Sequence, residues 1–344
     1  YANKLIHGEA IPKSVPVEVT LVTADNADAP AAEPAGDVAI VGNGTIGLSV
    51  STQNNPFFVT LVEGAKKAAA ELNMNLTVAD AGDDVTKQVS DIEDLVAKNI
   101  SVLIVNPVDS DAVGGAVKTA MAKGVRVISV DRAVNGVDID CQIASDNVAG
   151  AQTATQFIVD TLGEGAVVAE LQGTPGASAA IDRGTGFHNV ADTKLKVAAS
   201  QTANFDRTEG MSVMENMLQA NGNIQAVFAA NDEMALGAVE AAAGAGKKLL
   251  VVGFDATDDA LEAIKQGRMA ATIAQQPALI GATAIQNAVK LIGGETIHPT
   301  KSTLVFVPRH ISHSPLLVHE LKKDILHFSG GNSGNYNKDV NSTF

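Results

Sequence analysis

The chain has 344 residues, 46% of them hydrophobic and 18% charged, which supplies a sizeable core and is far from a disordered composition. A formal net charge of −15 with no basic block argues against nucleic acid, and no apolar run approaches the roughly 18–20 residues that span a bilayer. The one cysteine, Cys141, excludes an intrachain disulfide and a cysteine-rich metal cluster. Length and composition together predict a soluble, acidic α/β protein of two lobes.

Residues 2–11 (ANKLIHGEAI) match 288–297 (AVKLIGGETI) at seven of ten positions. The offset of 286 is about the length of one two-lobed unit, so residues 1–22 read as the tail of a preceding tandem copy or a duplicated tail. Residues 24–37 have the Ala, Pro and Asp content of a linker. GNGTIG (42–47) has the spacing of a dinucleotide loop, but a strand-like TIGLSVS follows where a pyrophosphate site needs a helix N-terminus.

From about residue 45 short apolar runs alternate with helical periodicity. Strands are predicted at 45–51, 76–80, 101–105 and 125–130, with helices at 57–72, from 85, and at 110–123. The series restarts after Asn147, with strands at 166–171, 195–200, 224–230 and 248–254 and helices near 147–162, from 177, at 206–219 and at 232–245. Continuous apolar strands between amphipathic helices predict parallel sheets buried on both faces, in two doubly wound (Rossmann-like) lobes. Ligands of such sheets bind at the carboxyl ends of the strands.

The residues at those ends combine carboxylates, guanidiniums, amides and phenyl rings, with no Ser-His or Cys-His couple. Asp, Arg and Asn suit adjacent hydroxyls, while Phe faces suit the C–H face of a sugar ring. Each position alone has an ordinary reading, as a helix cap, a local ion pair or core. The set at successive strand ends is harder to explain that way. His298, His310, His313, His319 and His327 have no metal-site spacing and read as a solvated tail, so neither a metal nor a cofactor is expected.

STQNNPFF, NPVDSDAVG, VDRAV, IASDNVAG, ELQGTPGASAA, FDRTEGMSVMENML, NDEMALGA, VVGFDAT and AATIAQQP occur in order across 45–297, about three quarters of the chain. This stretch resembles the type I periplasmic sugar-binding proteins that serve ABC transporters. The resemblance implies two lobes joined by a three-segment hinge that close on one sugar. The ligand-binding residues it implies are Ser51, Asn55, Phe57, Phe58, Asp131, Arg132, Arg183, Phe205, Asn231, Phe254, Asp255 and Gln275. Phe58 and Phe205 would sandwich the ring, Asp131, Arg132, Arg183, Asn231 and Asp255 would take hydroxyls, and Asn55 and Gln275 would add amide contacts. Ser51, Phe57 and Phe254 would be wall. D-ribose is favoured, with another pentose, allose or a furanosyl molecule as alternatives.

The partners implied are a membrane permease and a chemotaxis receptor, the expected state is a monomer, and the expected place is the periplasm or cell surface, with any signal peptide outside this sequence. The expected division is a leader and linker at 1–40, a first lobe of 41–144 plus 277–300, a second lobe of 145–276 plus 301–307, and an atypical tail at 308–344. Hinges are expected near Ala144-Ser145, at Asp255-Ala256 or shortly after, and near Gln275-Gln276. The run at 303–307 is expected to pack as the closing strand in preference to Pro16–Val22, leaving 1–36 peripheral and residues from about Ser329 mobile. An enzyme is disfavoured because Asp131 and Asp255 have Arg or amide neighbours that keep carboxylates ionised. A repressor effector domain would need a DNA-binding helix pair that 1–40 does not offer.

Overall fold

The structure is a computed structural model that describes residues 15–17, 20–22, 44–295, 297 and 300–301. Two short strands come first, β1 (Val15–Val17) and β2 (Thr20–Val22). The first alternating series is β3 (Thr45–Val50), α1 (Pro56–Glu71), β4 (Asn75–Asp80), α2 (Val85–Ala97), β5 (Val102–Val105), α3 (Gly114–Ala122), β6 (Arg126–Val130) and β7 (Cys141–Ser145). The second is α4 (Asn147–Leu162), β8 (Val167–Gln172), α5 (Ser178–Lys194), β9 (Lys196–Thr202), α6 (Arg207–Ala220), β10 (Ala226–Ala229), α7 (Asp232–Gly244), β11 (Leu250–Asp255), α8 (Asp258–Lys265) and β12 (Ala271–Ala274). Then come α9 (Pro277–Ile292) and β13 (Thr300–Lys301).

One sheet has the order β1-β7-β6-β5-β3-β4, with β13 also on β7; the other has the order β2-β12-β11-β10-β8-β9. Every pairing is parallel except that of β2 with β12. The β-branched runs VLIV and RVISV become central strands because helices cover both faces of the sheet. Short polar side chains set the helix starts: Asn55, Asp84, Asp146, Asp206 and Asn231 each accept a backbone N–H of the first turn. Phe187, Phe228 and Phe254 anchor the core of the second lobe, with the first two rings stacked at 5.1 Å. The first lobe packs Ile, Leu and Val from β3, β5, β6 and β7 against α1 and α9. Those two helices meet backbone to backbone. A Cβ at Gly64 would strike the Ala278 carbonyl, and one at Gly281 the Leu61 carbonyl, so only glycine permits this approach.

The chain passes from the first lobe to the second between Ser145 and Asn147 and returns between Ala274 and Pro277. A third crossing lies between Val17 and Thr20, because β1 belongs to one sheet and β2 to the other. Three expectations are thereby corrected. Asp255-Ala256 is no crossing, since β11, α8 and β12 all stay in the second lobe. The leader is not wholly peripheral, because β1 and β2 extend the two sheets and their backbone groups find ladder partners there. Lys301, expected in the second lobe, pairs with β7 of the first. The short strand β7 was not anticipated. The strand expected at 303–307, the linker at 24–37, the start of the 42–47 glycine run, the five tail histidines and the segment from 308 lie outside the described residues. No described helix is long and apolar enough to cross a membrane.

Candidate functional site

The strand ends of the two sheets face each other across a cavity. Its lining is Asn55, Phe57, Phe58, Asp131, Arg132, Ala179, Arg183, Phe205, Asn231, Asp255 and Gln275. Ten of the twelve residues named from sequence are therefore brought together here. Ser51 and Phe254 are fully buried off the cavity. Ser51 gives its backbone N–H to Asn106 Oδ1 at 3.2 Å, and the Phe254 ring lies beneath the Arg183 guanidinium at 4.0 Å. Ala179, at the start of α5, lines the cavity without having been singled out.

Two of the amides also cap helices. Asn55 Oδ1 accepts from Phe57 N at 2.9 Å at the head of α1, and Asn231 Oδ1 accepts from Met234 N at 2.9 Å at the head of α7. The ordinary cap reading and the binding reading are thus compatible, because capping uses only the oxygen. Asn231 Nδ2 additionally donates to the Phe205 carbonyl at 3.1 Å, fixing that loop.

Two carboxyls, Asp131 and Asp255, share the cavity with two guanidiniums, Arg132 and Arg183. Arg132, 3% exposed, donates to the Pro107 carbonyl at 2.9 Å and lies 5.2 Å from the Phe58 centroid and 5.5 Å from that of Phe205. Arg183 donates to Asn147 Oδ1 at 2.9 Å and to the Ala230 carbonyl at 2.7 Å, with Asp255 Oδ1 at 3.6 Å. Gln275 donates to Asp255 Oδ1 at 2.7 Å and accepts from Ser145 Oγ at 2.6 Å, which ties the cavity to both chain crossings beside it. Asp131 Oδ1 and Arg132 Nε are buried and have no hydrogen-bond partner. Buried polar atoms rarely stay unpaired, and these two are the ones that belong to cavity-lining residues, Ser51 Oγ, Ser129 Oγ and Gln276 Oε1 being the others among the described residues.

Burial pushes the Asp131 carboxyl above its ordinary range, opposed by Arg132 and Arg183, and pushes Asp255 up to about 7, opposed by Arg183 and Gln275. Burial likewise lowers Arg132. Desolvation outweighs their neighbours, so both carboxyls take up a proton more readily than the sequence reading implied, and Asp255 does so near neutral pH. Three lining residues have left-handed backbone: Asp131 (φ 62°), Phe205 (φ 61°) and Asp255 (φ 129°). Such angles are uncommon for residues with a Cβ, and they concentrate at functional sites.

Supporting residues escaped the sequence reading. Asn106 donates to Asp131 Oδ2 at 3.3 Å and to the Val130 carbonyl at 3.2 Å, and its own backbone carbonyl accepts from Gln88 at 2.9 Å. The fully buried Asp232 accepts from Thr272 Oγ1 at 2.6 Å and Thr257 N at 2.8 Å, joining α7 to the segments after β11 and within β12. Asn106 directly follows a strand, which was a usable signal. Asp232 sits inside a helix pattern and gave none.

The lobes also touch directly at the cavity rim. Ser110 N donates to the Gly176 carbonyl at 3.0 Å, Ser178 N donates to Ser110 Oγ at 3.1 Å, and Ala133 N donates to Ser178 Oγ at 2.8 Å. Ser110, from the first lobe, thereby caps α5, whose own N-cap residue Ala177 supplies no side-chain bond.

The profile of the periplasmic binding protein domain matches residues 46–296. The chain belongs to that family. The ribose import binding protein RbsB of Bacillus subtilis (strain 168) is 52% identical over 258 residues, covering 75% of this chain and 85% of the relative. The protein of the same name from Escherichia coli (strain K12) is 49% identical over 255 residues, 74% of this chain and 86% of the relative. Among solved structures, the Caulobacter myo-inositol binding protein bound to myo-inositol superposes with a TM-score of 0.74 at 33% identity, covering 78% of this chain and 94% of that one. The neighbours are solute-binding proteins, and the two-lobed fold is theirs.

Proposed function

We propose that this periplasmic binding protein is the D-ribose receptor of an ABC importer, holding the sugar between its lobes and presenting the closed form to a membrane permease outside the cytoplasm. The observation that carries the reading is the cavity lined by carboxyls, guanidiniums, amides and phenyl rings, with its unpartnered Asp131 Oδ1 and Arg132 Nε. A neutral polyhydroxyl ligand satisfies both a buried acceptor and a buried donor without adding charge. The resemblance of about half the aligned residues to ribose import proteins supports ribose among such ligands. Phe58 and Phe205, from opposite lobes and both near Arg132, are placed to cover the two faces of a ring. Arg183, Asn231 and Asp255 serve from the second lobe and Asp131 and Arg132 from the first, so the sugar bonds to both and stabilises closure by its greater affinity for that state.

No catalytic step is assigned. Asp131 and Asp255 each have a guanidinium within 4 Å, and such neighbours suit hydroxyl acceptors better than an acid–base pair. Calorimetric titration with D-ribose, D-allose, L-arabinose, myo-inositol and D-glucose tests the assignment. We expect micromolar or tighter binding of D-ribose and weaker binding of the others, since a site of fixed polar groups rejects ligands that leave them unpaired. Equal affinity for ribose and glucose overturns it.

A further inference from the structure

We propose that Gly173 is a positioning residue for the sugar: by presenting bare backbone it seats the Phe205 ring and sets the width of the slot between Phe205 and Phe58. The inference rests on the receptor reading and deepens it at one wall of the site.

Gly173 directly follows β8, and Phe205 lies just beyond β9. The two strands end together, with Gln172 registered on Thr202. Beyond that pair the two segments stay stitched. Ala203 N donates to the Gln172 carbonyl at 2.9 Å, Thr202 Oγ1 to the Gly173 carbonyl at 2.7 Å and Thr174 Oγ1 to the Asn204 carbonyl at 3.2 Å. Asn204 (φ 53°) and Phe205 (φ 61°) then turn through left-handed backbone, and Asp206 caps α6. This turn lays the distal edge of the Phe205 ring on Gly173. A Cβ at Gly173 would collide with Cε1, Cε2 and Cζ of that ring. The Gly173 backbone is outside the left-handed region, so the chain there would accept an alanine; the ring is what excludes a side chain.

The two walls of the slot are backed differently. Phe58 meets Phe57 edge to face, with 5.2 Å between centroids, whereas Phe205 rests on main chain at Gly173. The Arg132 and Arg183 guanidiniums lie 5.5 and 5.8 Å from the Phe205 centroid. Because hydrogen bonds hold the loop, a side chain at 173 is relieved by the ring itself. Restoring carbon–carbon contact at about 3.5–4 Å moves the ring by more than about 1 Å. Such a shift takes the ring out of register with a sugar stacked on it.

Two measurements on the full chain test this. Gly173 and Phe205 both belong to the second lobe, so their contact does not depend on closure. Crystal structures of the wild-type protein and Gly173→Ala, both without sugar, should therefore show the ring displaced by at least about 1 Å against the second-lobe backbone. An unmoved ring overturns the proposal. Calorimetry with D-ribose reads the consequence. Gly173→Ala should bind at least about fivefold more weakly than the wild type. Combined with Phe205→Ala, it should bind within about twofold of Phe205→Ala alone, because Gly173 acts only through the ring. Wild-type affinity in the single variant, or an undiminished loss in the Phe205→Ala background, overturns the proposal. A wild-type protein that takes no D-ribose overturns the receptor reading instead, and the ring position in the sugar-free structures still decides whether Gly173 seats Phe205.

Discussion

At the scale of single residues, the site rests on buried charges whose partners are backbone carbonyls for the guanidiniums and side-chain amides for the carboxyls, with Asn147 also holding Arg183. Arg183 is held by Asn147 and the Ala230 carbonyl, so its truncation removes the donor from those acceptors and the neighbouring cation from Asp255. Arg183→Ala should weaken D-ribose binding by about 2–5 kcal/mol, roughly 30- to 4,000-fold in a titration, and wild-type affinity would remove Arg183 from the site. Phe205→Ala should cost about 1 kcal/mol, because it removes a ring face and no charged contact. Asp255 gives a pH signature. Its carboxyl is raised to about 7, so its contribution to stability is fully present below the ordinary carboxylate value and is lost as pH rises through about 7. Sugar hydroxyls that donate to the carboxylate favour its ionised form. Binding near pH 6.5 should therefore release protons, measured as a dependence of calorimetric heat on buffer ionisation enthalpy, and affinity should fall on acidification. Proton uptake, or none, would contradict that role. The polar site residues were legible because strand-end positions expose their chemistry in the sequence. The raised carboxylates were not, because desolvation depends on how closely the second lobe covers them.

At the scale of elements, what the periodicity shows and what packing adds can be separated. The VLIV and RVISV runs declare central strands by composition. CQIAS, with alternating burial, sits near the edge of its sheet and carries little apolar signal. Loop-closure reasoning favoured the sequential segment 303–307, which lies outside the described residues, while β1 and β2 of the leader find partners on β7 and β12. The contact of α1 with α9 makes a separate prediction. Gly281→Val should drive a side chain into the Leu61 carbonyl and destabilise the protein by about 1–3 kcal/mol, visible as a lowered melting temperature, and an unchanged one would deny the close approach. The cap that Ser110 provides to α5 exists only when the lobes meet. Ser110→Ala should therefore weaken ribose binding by about 0.5–2 kcal/mol although Ser110 does not line the cavity. Wild-type affinity in that variant would show that the cap does not contribute to closure.

At the scale of the molecule, the two sheets with facing strand ends, the crossings beside the cavity and the ligand groups shared between lobes form one device. Its parts are individually ordinary, and the proposed function resides in their division between two lobes joined at the crossings beside the cavity. The central claim is that D-ribose closes the lobes on each other. Small-angle X-ray scattering of the full chain with and without saturating D-ribose measures this directly. The account predicts a smaller radius of gyration with D-ribose and no change with Arg183→Ala at the same sugar concentration. Superimposable curves for the wild-type protein, at a ribose concentration where calorimetry shows the site filled, would contradict it.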